Sequence, residues 1–142
     1  MIENRCVNNV NELKVIFALR QEVFVKEQGV PIQDELDEFD SDSKHIACCY
    51  NGRIVGCGRL YVDNKVAHLG RICVLKSFRG LGLGSSLCEY LCQMAIALSC
   101  KMIELNAQIQ AIHFYQKMGF KTIGNEFMDA GIPHIRMIKT VK

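Results

Sequence analysis

Three glycines at alternate positions, Gly80, Gly82 and Gly84, follow Arg79 and separate an apolar, strand-like run from a helix-like run. Without a Cβ the chain can turn sharply there and bring several amides together. The helix that follows adds the positive end of its dipole. Such a nest suits a phosphate or pyrophosphate, and Arg79 sets a cation beside it. The other reading is a glycine-rich turn without a ligand. Two familiar phosphate loops are excluded. A P-loop needs a lysine after its glycines, and none follows here. A Gly-x-Gly-x-x-Gly fingerprint counted from Gly80 or Gly82 ends on Ser85 or Leu87, so it fails.

The 142 residues suit one domain, 1–142, and 49% of them are hydrophobic, enough for a sizeable core. A net charge of +2 argues for neither nucleic acid nor membrane as a partner. No apolar run reaches the length of a membrane span, and the N-terminus carries no basic-plus-apolar leader pattern. The expected location is cytoplasmic. The eight cysteines contain no Cys-x2-Cys pair, and most sit within apolar runs. They are expected to be reduced core residues, with no metal; Cys88 and Cys92, one helical turn apart, could both face the core.

Along the chain, Ile2 to Val7 reads as a first strand, and Asn9 to Glu12 as a capping box. Leu13, Ile16, Phe17, Arg20 and Phe24 follow helical spacing, with Gly29 and Pro31 ending the helix. Arg20 stands on the apolar face and needs a carboxylate or carbonyl partner. Six acids crowd the next loop: Asp34, Glu35, Asp37, Glu38, Asp40 and Asp42. The loop lacks the glycine and terminal glutamate of an EF-hand. It is either a solvated surface or a negative rim that attracts a cationic substrate. His45 to Tyr50, Arg53 to Val62 and Lys65 to Leu75 read as a meander, with Asn51-Gly52 as a hairpin turn. A helix is expected from Ser85 or Ser86, burying Leu87, Leu91, Ala95 and Leu98. Met102 to Ala107 is a strand, and Ala111 to Lys117 a short helix closed by Gly119. Lys121 to Gly124 and His134 to Val141 form a last strand pair. The order is β-α-β-β-β-α-β-α-β-β, a mixed α/β domain.

Arg79-x-x-Gly82-x-Gly84 between strand and helix resembles the coenzyme A pyrophosphate loop of the GNAT (Gcn5-related) N-acetyltransferases. Phe114-Tyr115-Gln116-Lys117-Met118-Gly119-Phe120 resembles their Phe-Tyr-x-Lys-x-Gly-Phe signature, and a strand holding Asn106 lies between the two. The segment Arg20 to Gln28, Pro31, Glu35-Leu-Asp37, Gly70 to Val74 and Gly131-Ile-Pro-His134 are similar to the ElaA/YjcF-like branch. The resemblance implies a single-domain GNAT fold: α/β, a mixed and mostly antiparallel central sheet, helices on both faces.

It also implies acetyl-CoA as co-substrate and transfer of an acetyl group to a primary amine of a small molecule or peptide. A homodimer is compatible with it. By that resemblance Ile72, Cys73 and Val74 would pair with the pantetheine arm as an added strand. The amides of Arg79, Gly80, Leu81, Gly82, Leu83, Gly84 and Ser85 would hold the pyrophosphate, and the Val74 amide would face the developing oxyanion. Tyr115 would protonate the leaving thiolate; otherwise it is a core aromatic. Asn106 would bond the cofactor arm, or else cap a strand end. His134 would stand on the acceptor side as the second catalytic candidate beside Tyr115. No general base is evident: His68 reads as a lone strand histidine, Glu27, Glu126 and His45 are weaker candidates, and His113 is a surface residue. Arg71 is expected in a structural ion pair with an acid of the first-helix segment. Two other functions remain: an acyl transferase of acyl-homoserine-lactone-synthase type, or a non-catalytic coenzyme A-binding sensor or interaction domain.

Overall fold

The computed structural model describes residues 1–141. Seven strands form one sheet in the order β1-β2-β3-β4-β5-β7-β6, with β1 Ile2–Val7, β2 Lys44–Tyr50, β3 Arg53–Asp63, β4 Val66–Val74, β5 Met102–Gln108, β6 Lys121–Asp129 and β7 Ile132–Thr140. The hairpin between β2 and β3 turns on Asn51 at φ 50° and Gly52 at φ 86°, the positive values a tight two-residue turn requires. Only β4 and β5 run parallel, and the helix that must cross over between them is α3, Leu83–Ala97.

Alternation along the strands sends successive side chains to opposite faces. Ile46, Leu60, Leu69 and Ile103 meet Leu83, Leu87 and Leu91 of α3 on one face. Ala47, Cys49, Cys57 and Cys73 meet Ile16, Leu19 and Val23 on the other. Each fully buried leucine contributes roughly 1.5–3 kcal/mol. Gly58 makes the α3 contact possible, since a Cβ there would sit 2.9 Å from Leu91 Cδ1. Cys88 and Cys92 are both buried on α3 as their spacing suggested.

The first helix departs from expectation. α1 is regular over Val10–Arg20, with the Glu12 amide donating to Asn9 Oδ1 at 2.8 Å, and then widens into a π-helix over Gln21–Glu27. A short α2, Ile32–Glu35, leads into the acidic loop. α3 begins at Leu83, two residues before the expected serines, because Gly82 at φ 81° already turns the chain into it. Leu98 lies past the last turn of α3 and is exposed, so it is not part of the helix's buried face. α4 covers Ile112–Lys117. β6 runs five residues beyond Gly124, and Pro133 lies within β7 rather than in the connection.

Candidate active site

β4 and β5 are paired only at Val66–Met102, Ala67–Ile103 and His68–Glu104. Beyond that point the strands part, and the edge of β4 from Leu69 onward has no strand partner on the β5 side among the described residues. The cause is a bulge. Cys57 pairs with Cys73 and Arg59 with Gly70, so Arg71 and Ile72 together oppose Gly58. Arg71 takes φ 52°, a left-handed value that a non-glycine residue holds only when its surroundings enforce it.

The acidic loop provides that enforcement. Arg71 donates from Nε to Glu35 Oε2 at 3.1 Å and from Nη2 to the Glu35 carbonyl at 2.9 Å and Asp37 Oδ2 at 3.2 Å. Arg20, fully buried, donates to Glu35 Oε2 at 2.8 Å and Asp40 Oδ1 at 2.7 Å. Arg59 donates to both oxygens of Asp37, at 2.7 and 2.8 Å, and to Asp40 Oδ1 at 2.9 Å. Burial works against the Asp40 carboxylate, but the bonds from Arg20 and Arg59 hold its pKa well below the ordinary range. Asp37 is lowered in the same way, chiefly by Arg59. Three acids of the loop are thus tied to three arginines from α1, β3 and β4. That half of the loop is engaged by arginines rather than solvated, while Asp34, Glu38 and Asp42 remain exposed. Arg71 also finds its acids in this loop rather than in the first-helix segment.

The space between the parted strands is a cleft of ≈ 920 Å³. It brings together Ile72, Arg79, Asn106, Tyr115 and His134, residues that lie far apart in the chain. Tyr115 is almost wholly buried, packed edge-on to Phe114 and Phe120, and that burial raises its pKa above the usual phenol range. Asn106 is exposed on β5, and its side chain has no hydrogen-bond partner among the described residues. His134 is half-buried, with Nδ1 2.7 Å from the Ile132 carbonyl and its ring stacked on Phe127. Cys73 and Val74 are buried at the end of β4, so only their backbone can face the parted edge; Cys73 Sγ lies 3.7 Å from Cys57 Sγ.

The glycine loop follows β4 through a 3-10 turn over Lys76–Phe78. Gly80 and Gly82 both have positive φ, and the space a Cβ would occupy at each is open. Gly80, Leu81, Gly82 and Ser85 are exposed, and Leu83 buries its side chain in the core. The first amides of α3 have no helical acceptor by geometry. Gly84 differs: a Cβ there would touch Phe114 at 3.6 Å, facing α4 rather than open space. The Arg79 amide is already bonded to the Lys76 carbonyl at 3.3 Å. Its guanidinium donates to both Glu27 oxygens, at 2.6 and 2.8 Å, and to the Val74 carbonyl at 2.9 Å. Arg79 therefore ties the π-helix to the end of β4, and Glu27 is held as its partner.

Of the other titratable candidates, His45 is buried with Nε2 2.9 Å from the Asp40 carbonyl, while His113 and Glu126 are exposed. One pairing escapes sequence reasoning. Glu104 Oε1 lies 2.6 Å from His68 Nδ1, and both residues line the cleft. The parallel register of β4 and β5 makes them neighbours, and no spacing in the chain announces that. All eight cysteines are free, and among the described residues no group of three or more His, Cys, Asp or Glu could hold a metal ion.

A bulged strand edge, a glycine turn at a helix start and a buried tyrosine lining the cleft make an arrangement of the GNAT class. The family profile described as an acetyltransferase (GNAT) domain matches residues 6–141, and the chain belongs to that family. Within it the chain is of the ElaA/YjcF type. It is 43% identical over 132 residues to the uncharacterized N-acetyltransferase YjcF of Bacillus subtilis, covering 92% of this chain and 94% of that one. The crystal structure of Escherichia coli ElaA shares 30% identity at a TM-score of 0.87, over 98% of this chain and 99% of that one. A GNAT family acetyltransferase from Elizabethkingia anophelis, solved with acetyl-CoA bound, shares the fold at a TM-score of 0.78 and 16% identity, over 99% and 98% of the two chains.

Proposed function

We propose that the protein transfers an acetyl group from acetyl-CoA to a primary amine of a small molecule or peptide, in the cytoplasm. The observation that carries this reading is the fork between β4 and β5, with a free strand edge on one side and Tyr115 on its lining. The edge of β4 around Ile72, Cys73 and Val74 suits an extended amide-bearing arm, which would add to it as a strand. The exposed turn from Gly80 to Gly82 and the amides of Leu83, Gly84 and Ser85 suit a pyrophosphate. The fold neighbour that binds acetyl-CoA supports the same choice of co-substrate.

In this reading the Val74 amide faces the oxygen that gains charge during transfer. Tyr115 gives its proton to the departing sulfur. Its raised pKa suits that role, because the phenol stays protonated at neutral pH. Asn106, on the cleft lining, bonds the cofactor arm, and His134 stands on the acceptor side.

With Asp37 and Asp40 engaged by arginines, the case for a cationic acceptor passes to other acids. Asp34 and Asp129 line the cleft and form no ion pair among the described residues. Glu35 keeps one buried oxygen, Oε1, without a partner, and a side cavity of ≈ 60 Å³ lined by Asp34, Glu35, Asp129 and His134 adjoins the cleft. A field of one sign concentrates ligands of the other.

The test is release of free thiol from acetyl-CoA in the presence of an amine panel, cationic and neutral. Amine-dependent release is expected, faster for cationic acceptors. Replacing Asp34 and Asp129 together by asparagine should slow cationic acceptors selectively and remove their salt dependence. Acetyl-CoA binding without release on any amine would favour the non-catalytic sensor instead.

A further inference from the structure

Resting on the acetyltransferase reading, we infer that His68 is the general base of the reaction, that it accepts the acceptor's proton at Nε2, and that Glu104 positions it. His68 sits at the last paired position before β4 and β5 part, which is the vertex of the fork. It lines the same cleft as Tyr115 and Asn106. Glu104 Oε1, 2.6 Å from Nδ1, favours the tautomer with the proton on Nδ1, which leaves the Nε2 lone pair free. Nε2 has no partner among the described residues, and it is not one of the buried unpartnered atoms, so it is open to the cleft.

The ring is held by two contacts, Tyr61 on its face and Glu104 at its edge. Tyr61 of β3 stacks on it at 4.5 Å with planes 9° apart, and Phe39 of the acidic loop stacks on Tyr61 at 5.0 Å. Glu104 is held in turn by Arg136 of β7, through Nε at 2.9 Å and through Nη2. The charged groups around the site are thus Glu104 from β5, Arg136 from β7 behind it, and Arg59 of β3, which lies over Phe39 and is neutralised by Asp37 and Asp40. Among the described residues only the imidazole nitrogen combines an open lone pair with a fixed orientation there. His134 does not match it, since its contact is a carbonyl and no carboxylate lies against its ring.

The protons balance. As the amine nitrogen forms the new C–N bond to the acetyl carbonyl carbon, it gives one proton to His68 Nε2. The C–S bond breaks, and the sulfur takes the Tyr115 proton. Solvent then carries the imidazolium proton back to the tyrosinate. An acceptor that arrives as an ammonium loses one further proton to water.

The experiment compares wild type, His68→Gln and Glu104→Gln in thiol release across pH. The probes are benzylamine, 1,4-diaminobutane and a lysine peptide on one side, and hydroxylamine, which is already neutral, on the other. Acetyl-CoA affinity is measured by calorimetry in parallel. For His68→Gln we expect unchanged acetyl-CoA affinity, kcat down by about 10²–10⁴-fold on both classes of nucleophile, since each sheds the same proton as the C–N bond forms, and loss of the acid limb of the pH profile on hydroxylamine, where the nucleophile's own protonation does not mask it. Glu104→Gln should keep that limb, with a smaller loss in kcat. If His68→Gln keeps its rate, or keeps its acid limb on hydroxylamine, the base assignment is overturned while the acetyltransferase reading stands. If wild type binds acetyl-CoA but transfers to no amine, both fall together.

Discussion

Tyr115 combines three features that a proton donor needs: it lines the cleft, it is buried, and burial keeps it protonated. Tyr115→Phe removes one oxygen and leaves the ring packing against Phe114 and Phe120 intact. The expected result is unchanged acetyl-CoA affinity with kcat lower by about 10²–10⁴-fold. Because the phenol pKa is raised, wild-type activity should show no loss from tyrosine ionisation below about pH 10. A basic limb well below that value, absent in the phenylalanine variant, would contradict the role. Gly82 is the other single residue on which the reading turns. Its φ is 81° and the Cβ of Gly82→Val would meet nothing within 4 Å. The left-handed conformation itself costs a non-glycine residue roughly 1–2 kcal/mol. A folded variant with strongly weakened acetyl-CoA binding by calorimetry is expected. Gly84 is a poorer probe, since a side chain there faces Phe114.

At the scale of elements, the acidic loop and β4 form one device. The bulge at Arg71 opens the fork, and the loop holds the bulge through Arg20, Arg59 and Arg71. Removing one member leaves an uncompensated charge, because Arg20 is fully buried. Asp40→Ala should therefore lower stability by about 3–5 kcal/mol, measured by urea unfolding, with an even larger fractional loss of activity as the fork closes. Acid should act through the same carboxylates. Asp37 and Asp40 have lowered pKa values in the folded state, so they bind fewer protons than in the unfolded chain. The stability they contribute is full above about pH 4, the unfolded range, and is lost as pH falls below it. Unfolding midpoints measured at falling pH should drop steeply there in wild type and less steeply in Asp40→Ala. A parallel pH dependence in both proteins would remove Asp40 as a source of the acid sensitivity.

Over the whole molecule, the cleft opens where the pairing of β4 and β5 stops after three residue pairs. The α3 face and the α1 face carry separate apolar clusters that clamp β2, β3 and β4 between them. β5, β7 and β6 form the other arm, joined to the first by three residue pairs. Such a narrow join lets the arms diverge toward one end and places Tyr115, from beyond β5, opposite the bulge of β4. Arg79 and Glu27 tie the π-helix to the end of β4 across the mouth.

The strand and helix order was legible in the chain because local periodicity and turn residues determine it. Asn51-Gly52 specifies its hairpin, and the glycines at 80 and 82 specify a turn that few other residues could adopt. The family was legible too, since its loop and its Phe-Tyr signature are contiguous segments. Arg20's need for a carboxylate followed from its place on an apolar helix face, but which acid would meet it did not. The tertiary structure decided that Glu35, Asp37 and Asp40 are engaged rather than free. It also set His68 beside Glu104. Both outcomes depend on register and bulge position, which bring together residues 15 to 36 positions apart. Charge in a sequence says that partners are required; only the packed chain determines which charges are left to meet a substrate.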